Sequence, residues 1–298
     1  MIKEDYTNLK TFVINLDEYK KNYEKQLPYL KNIGLNVERF SGINALKDKH
    51  LKPEYKQYIS NFAYNFTPKS IIGCSLSHIL CCKYIYDNYI IYEGNDSSNK
   101  NNDMFFLIME DDAFPKYLKA EFYEKLNKTI YEIQLLDSNW EIIQLHSDAF
   151  YPTQDTYFTH FVCGSSAAYL ISKNGIIKNL KSKILSHIDF IENNFIKFRK
   201  YRSKENIFYT NEKESLNRNI NTRKNLLYYS LFIKSYLFEF INKYTNLLEL
   251  RGEKSYLNFL EFKLVKLPYF NKEYTVNEII DSIFVLFILK NLYILKNK

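Results

Sequence analysis

An apolar run that breaks into three consecutive acids is the feature of this chain that most constrains its fold. Residues 105–109 are long and apolar enough for a buried β-strand. Glu110, Asp111 and Asp112 follow them directly. Three carboxylates this close repel one another unless a cation or hydrogen-bond donors lie among them. The triplet is therefore either a solvated loop after a strand or an acidic metal site.

Strands and helices alternate over the first two-thirds of the sequence. Residues 12–16 and 140–145 are apolar runs like 105–109, and apolar residues at helical spacing occupy 73–84 and 119–136. This alternation predicts an α/β fold, in which ligands bind outside the carboxyl ends of the strands. The rule places Glu110 and its two neighbours at a ligand crevice.

The character of the chain changes near residue 220. From residue 225 onward the sequence has long aromatic and aliphatic runs with helical spacing. We therefore predict an α/β domain over residues 1–220 and a helical C-terminal extension over 221–298. The aromatic positions of the extension are either a stripe packed in the core or a surface for a partner, a membrane or an acceptor polymer.

Composition and charge limit the classes of partner. A net charge of +7 permits attraction to phosphate groups or an anionic membrane, but the basic residues are spread along the chain among acids, so we expect no nucleic acid. The four cysteines match no zinc framework and lie in apolar surroundings, where cysteine usually behaves as a small buried hydrophobe. They are Cys74, Cys81, Cys82 and Cys163.

No segment has the pattern of a membrane-spanning helix. The strongest candidate, residues 279–295, is interrupted by Asp281 and Lys290, so a buried or surface-docked helix is favoured. Residues 1–5 begin no secretory signal. We expect a cytoplasmic protein, and peripheral membrane contact through the C-terminal helices stays open.

Several segments together resemble glycosyltransferase family 25, which includes bacterial lipooligosaccharide galactosyltransferases and collagen galactosyltransferases. The matching segments are residues 13–17 (VINLD), 40–43 (FSGI), 72–79 (IGCSLSHI), 107–113 (LIMEDDA), 140–145 (WEIIQL), 168–173 (AYLISK) and 188–189 (ID). The resemblance implies a GT-A fold with a Rossmann-like mixed sheet, a UDP-sugar donor, a divalent metal and inversion at the anomeric carbon. Two features depart from it: the arginine usual after the first strand is absent from 18–21, and 207–225 match nothing.

The resemblance assigns roles to the acidic triplet. Alternate residues of an extended stretch face the same side, so Glu110 and Asp112 would point together and Asp111 away. Asp112 is then a direct ligand of Mn²⁺ or Mg²⁺, and Glu110 is a second ligand or a ribose contact. Asp111 would contact the ribose or the sugar of the donor.

Other candidate residues lie in or near the matching segments. Asn15 and Asp17 would meet the uracil or ribose, and Gly164 would begin the wall of the sugar pocket. His78 either touches the donor or is a hydrogen-bonded structural histidine. Asp189 is the candidate base that activates the acceptor, with a helix N-cap as the alternative.

These residues lead to one principal hypothesis and two alternatives. The principal one is a metal-dependent inverting glycosyltransferase that moves galactose or glucose from a UDP-sugar to a hydroxyl of a glycan or a hydroxylated polypeptide. The first alternative is a non-catalytic glycosyltransferase-like module used for binding or assembly. The second is a nucleotidyltransferase, which would normally require a Gly-rich basic loop that is not visible near the N-terminus.

Overall fold

The structure, a computed structural model, describes residues 9–47, 51–60, 63–64, 67, 69–91, 104–146, 165–184 and 198–211, and the backbone of 263–267 and 272–275. The chain divides into two compact units, Met1–Thr222 and Arg223–Lys298. The described strands of the first unit are β1 (Lys10–Asn15), β2 (Asn36–Ser41), β3 (Phe105–Glu110), β4 (Ala113–Pro115), β5 (Ile142–Gln144), β6 (Ala168–Ser172), β7 (Lys200–Arg202) and β8 (Phe208–Thr210).

Six of these strands form one mixed sheet in the order β2-β1-β3-β6-β5-β7, and β4 pairs with β8 in a small second sheet. Strand β1 is parallel to β2 and β3, and β5 is parallel to β7. Strand β6 is antiparallel to both of its neighbours, β3 and β5. Five strands therefore end at the same edge of the sheet, where β6 begins. We call this the carboxyl edge.

Helices cover the sheet. They are α1 (Lys20–Asn32), α2 (Lys69–Ile85), α3 (Lys119–Leu136) and α4 (Lys173–Leu180). Phe12, Ile108 and Tyr169 of the sheet share one buried cluster with Cys82 of α2 and Ile176 of α4. Helix α1 packs on β1, β2 and β4. The predicted α/β fold, with a mixed sheet and flanking helices, is confirmed.

Local sequence explains where two of the helices begin and end. Helix α1 stops before Gly34, whose φ of 85° lies in the left-handed region that favours glycine. The backbone N–H of Leu35 then donates to the carbonyl of Leu30 at 3.1 Å, which closes the helix end. Helix α4 begins after Ser172, whose side chain accepts a hydrogen bond from the backbone N–H of Gly175.

Some element predictions need correction. Helix α2 contains Gly73 rather than starting after it, and a Cβ at that position would come within 2.6 Å of the carbonyl oxygen of Ile43. Strand β5 is shorter than the apolar run over 140–145, and the three-residue strands β4 and β8 carry too little pattern to be predicted.

The second unit also differs from expectation where it is described. Strands β9 (Lys263–Leu267) and β10 (Lys272–Thr275) pair antiparallel. A helical extension was predicted here, so the prediction is wrong for these nine residues. Pro268 directly after β9 disfavours a continuous helix through this stretch. The rest of the predicted helical extension lies outside the described residues, as does the stretch 279–295. No helix in the described part of the chain is long and apolar enough to cross a membrane.

Candidate functional site

The acidic triplet lies at the carboxyl edge, beside the end of β1. The register of β1 and β3 pairs Ile14 with Glu110, which brings the next residues, Asn15 and Asp111, together. Asn15 donates from Nδ2 to Asp111 Oδ2 at 2.5 Å, and it is only 1% exposed. Buried side-chain amides need such partners. The structure thus joins two of the predicted donor-binding residues directly.

Asp111 and Asp112 were predicted to continue strand β3, but they do not. Strand β3 ends at Glu110, and Asp111 and Asp112 form a turn before β4. Gln26 of α1 explains this turn, because its buried Nε2 donates to the carbonyl oxygens of Glu110, at 2.8 Å, and of Ala113. The period-2 alternation from Glu110 to Asp112 was therefore a wrong prediction.

The carboxylate of Glu110 is held by side chains from two other elements. Ser166, just before β6, donates from Oγ to Glu110 Oε1 at 2.6 Å. The Nε2 atom of His78, on α2, lies 3.3 Å from the same oxygen. The Glu110 side chain nevertheless keeps 28% of its surface exposed, so it can still reach a ligand.

His78 lies behind Glu110 and is itself almost inaccessible. Its side chain is 1% exposed, and its Nδ1 lies 2.9 Å from the hydroxyl of Tyr169. The two rings stack with centroids 5.7 Å apart. Both ring nitrogens therefore have protein partners, and the geometry makes His78 a residue that orients the Glu110 carboxylate.

The electrostatics of the other two acids are those of an uncompensated carboxylate cluster. Burial, partly offset by the hydrogen bond from Asn15, raises the pKa of Asp111 to about 6, and the charge of Glu110 adds to the rise. Burial and the charges of Glu110 and Asp111 raise the pKa of Asp112 to about 8. Each ionised form is costly here without a cation.

Asp112 has the clearest signature of a ligand site. Its Oδ1 atom is buried and has no hydrogen-bond partner among the described residues. An orphaned buried oxygen carries a free-energy cost that a bound group would remove. Clustered carboxylate oxygens are the donors preferred by Mg²⁺ and similar hard cations. The residues present therefore fit the divalent metal that the sequence predicts.

Asp17 lies farther out on the same edge. Its side chain is 67% exposed and accepts from Nη2 of Arg39 at 2.6 Å. Arg39, on β2, also donates from Nε to Asn15 Oδ1 at 2.7 Å. A chain of polar contacts thus runs from Asp17 through Arg39 and Asn15 to Asp111. Arg39 thus supplies a guanidinium at this edge, although residues 18–21 contain no arginine.

His146 is a site residue that the sequence reasoning missed. It is 5% exposed, and its Nδ1 lies 3.1 Å from the carbonyl oxygen of Phe208. Its interaction with Asp112 offsets a small part of the rise in the pKa of that carboxyl. A signal was available, because His146 follows the carboxyl end of β5 just as the acidic triplet follows β3. Gln26 and Ser166 were also missed.

Two candidates, Asp189 and Gly164, are outside the described residues. The roles predicted for them stay predictions.

Comparison with known proteins gives one family. The sequence profile of the family described as glycosyltransferase family 25 (LPS biosynthesis protein) matches residues 8–176, more than half of the chain. No curated protein sequence matches this chain. Among solved structures, it is similar to a glycosyltransferase involved in the glycosylation of the major capsid of PBCV-1, at 10% identity and a TM-score of 0.31. That match covers 58% of this chain and 63% of the other, so this chain spans less than two thirds of its length.

Proposed function

This chain belongs to glycosyltransferase family 25, and we propose that it is a metal-dependent, inverting glycosyltransferase. The donor in this proposal is a UDP-sugar, with galactose or glucose as the transferred hexose. The acceptor is a hydroxyl of a glycan or of a hydroxylated side chain. The family's description as an LPS biosynthesis protein favours the glycan.

The observation that carries the proposal is the orphaned, buried Oδ1 of Asp112 inside a cluster of three carboxylates. Asp112 and Glu110 would hold Mn²⁺ or Mg²⁺ there. Such an ion would stabilise the negative charge that develops on the UDP leaving group. Asp111 and Asn15, already joined by a hydrogen bond, would face the ribose beside it.

The remaining roles belong to the chain's other polar groups. Asp17 would meet the uracil or ribose of the donor. Gly164 would begin the wall of the sugar pocket, where a small residue lets the hexose approach the backbone closely. Asp189 would take the proton from the acceptor hydroxyl on the face opposite the leaving group. His78 would position Glu110 rather than touch the donor.

A UDP-release assay over a panel of UDP-sugars tests the proposal. Wild-type protein should release UDP from one donor with Mn²⁺ or Mg²⁺ and stop with EDTA. Asp112→Asn, which keeps the side-chain shape, should lose activity and metal-dependent UDP binding. Asp87→Asn is the matched control, because Asp87 is 43% exposed and makes a surface ion pair with Lys83. Asp189→Asn should bind UDP normally but slow transfer about 10²–10⁴-fold.

Calorimetric titration of UDP separates the remaining outcomes. Metal-dependent UDP binding without turnover in any donor would indicate that the acceptor is missing from the assay. Well-folded protein that binds no UDP with or without metal would overturn the proposal and favour the non-catalytic binding module. Equal activity in Asp112→Asn and wild type would contradict the metal assignment.

A further inference from the structure

A cysteine, a histidine and a glutamate converge beside the acidic turn. Cys74 and His78 lie one turn apart on α2, and Glu110 ends β3. One potential ligand atom from each residue lies within 4.8 Å of the other two. This cluster was not predicted from the sequence, because the four cysteines match no zinc framework.

The spacing of two of these ligands already suits a small tetrahedral ion. His78 Nε2 and Glu110 Oε1 are 3.3 Å apart. Nitrogen and oxygen ligands about 2.0 Å from a tetrahedral zinc ion lie about 3.3 Å from each other. The pair therefore needs little rearrangement to share one ion.

The surroundings hold the histidine and the glutamate in place. Nδ1 of His78 faces the hydroxyl of Tyr169 at 2.9 Å, and Ser166 Oγ donates to Glu110 at 2.6 Å. Histidine ligands of metals usually have their second ring nitrogen fixed by such a contact. The Tyr169 hydroxyl can accept a hydrogen bond from Nδ1–H, and in that tautomer Nε2 carries no proton and can bind the ion.

Cys74 differs from the other described cysteines of α2. Cys81 and Cys82 are fully buried, and burial raises the pKa of Cys82 to about 12, so that thiol stays protonated. Cys74 is only partly buried. Its sulfur is therefore accessible to a metal ion, which binds cysteine as the thiolate. It is the one of these three that can supply a thiolate beside Glu110.

We propose that Cys74, His78 and Glu110 form a zinc site that inhibits the transferase. Thiolate, imidazole and carboxylate together favour Zn²⁺, whereas Mg²⁺ and Mn²⁺ prefer oxygen ligands. Zinc bound here would use the Glu110 carboxylate, which is then not available to the Mn²⁺ or Mg²⁺ ion that binds the donor. The inhibition rests on the proposed function, but zinc binding does not.

Cobalt(II) substitution tests the binding. Co²⁺ added to the full chain should give the near-ultraviolet absorption band of a cobalt–thiolate bond, and Zn²⁺ should abolish the band. Cys74→Ser should lose the band and bind Zn²⁺ at least about tenfold more weakly. Cys81→Ala, on the same helix but in the core, should retain both properties. Absence of the band in wild type, or equal zinc affinity in Cys74→Ser, would overturn the site.

Zinc titration of transferase activity tests the inhibition. At fixed donor and Mn²⁺, wild type and Cys81→Ala should lose activity as Zn²⁺ rises. Cys74→Ser should need at least about tenfold more Zn²⁺, with the same activity as wild type when zinc is absent. Identical inhibition of all three would contradict the proposal. A cobalt band in protein that binds no UDP supports the zinc site while the proposed function fails, and metal-dependent turnover without the band does the reverse.

Discussion

Gln26 fixes the turn that presents Asp111 and Asp112, because it binds a carbonyl on each side of them. The side chain is fully buried and donates to both Glu110 and Ala113. Its removal leaves two backbone acceptors without that donor, and such groups cost about 1–3 kcal/mol each when buried. Part of this cost is offset, because the Oε1 atom of Gln26, which is buried without a partner among the described residues, is removed as well. The turn would then lose its constraint even though no acidic residue has changed.

Gln26→Met tests this role. We expect a loss of about 1–3 kcal/mol in the free energy of unfolding and weaker metal-dependent UDP binding, because the turn is no longer fixed. Urea denaturation and calorimetry measure the two effects. Gln134→Met on α3, at a half-buried position, is the control and should change stability by less than about 0.5 kcal/mol. Unchanged UDP affinity in Gln26→Met would contradict the positioning role.

Glu38 makes stability depend on pH at a place remote from the acidic turn. It lies mid-strand in β2 and accepts hydrogen bonds from Lys10 and Tyr89, each at 2.7 Å, and from Tyr84. Burial raises the pKa of Glu38, but these partners outweigh it and hold the pKa below the ordinary value of 4.5. A carboxyl with a depressed pKa stabilises the fold above its unfolded pKa and loses that contribution as the pH falls through the folded value.

Glu38→Gln should therefore flatten the acid limb of the stability profile. At pH 7 we expect it to cost roughly 1–3 kcal/mol, the range for hydrogen bonds to charged groups. The difference from wild type should shrink as the pH falls below about 4.5. Urea denaturation from pH 3 to 7 measures this. Glu121→Gln, at an exposed position on α3, should have nearly the same free energy of unfolding as wild type at every pH in this range. A constant difference at every pH would refute the assignment.

Among the elements, helix α2 is one whose placement depends on a single small residue. Gly73 lets residues 43–45 pass against the helix, and a Cβ there would meet the oxygen of Ile43 at 2.6 Å and the nitrogen of Ala45 at 3.0 Å. Neither backbone atom can rotate away. The helix also carries Cys74 and His78, so its position affects the carboxyl edge.

Gly73→Ala should thus destabilise the protein by about 1–3 kcal/mol despite the higher helix propensity of alanine. Chemical denaturation measures the loss. Ser70→Ala on the same helix is the control, because the Ser70 hydroxyl is buried without a partner among the described residues and its removal should be neutral or stabilising. Gly73→Ala as stable as wild type would show that the loop yields easily.

Elements with strong apolar periodicity were predictable from sequence, and their pairing was not. Strands β1, β3 and β6 and helix α3 follow from residues close together in the chain. The antiparallel insertion of β6 between β3 and β5 depends on contacts between distant residues, which a local pattern does not encode. The rule that ligands bind at strand ends found Glu110, and the family resemblance found Asn15. It could not find Gln26, because one glutamine on a helix has no local signature of its partners.

At the scale of the whole molecule, donor and metal binding should stabilise the fold through the carboxyl edge. A ligand present at 100 times its Kd and specific for the native state adds about 2.7 kcal/mol. Mn²⁺ with UDP should therefore raise the thermal midpoint by several degrees, and EDTA should remove the rise. Differential scanning fluorimetry measures it. Glu110→Gln should lose the rise and Glu121→Gln should keep it. A rise that survives EDTA would exclude the metal from donor binding.

The strand order also sets when the carboxyl edge can form during synthesis. Asn15 lies 96 residues before Asp111, and Ser166 follows Glu110 by 56. Contacts across such long stretches close slowly, because chain entropy opposes them. The acidic triplet therefore leaves the ribosome well before Ser166, whose hydroxyl donates a hydrogen bond to Glu110. We expect a nascent chain stalled before residue 165 to bind no nucleotide, so metal and donor capture begins only once β6 has entered the sheet.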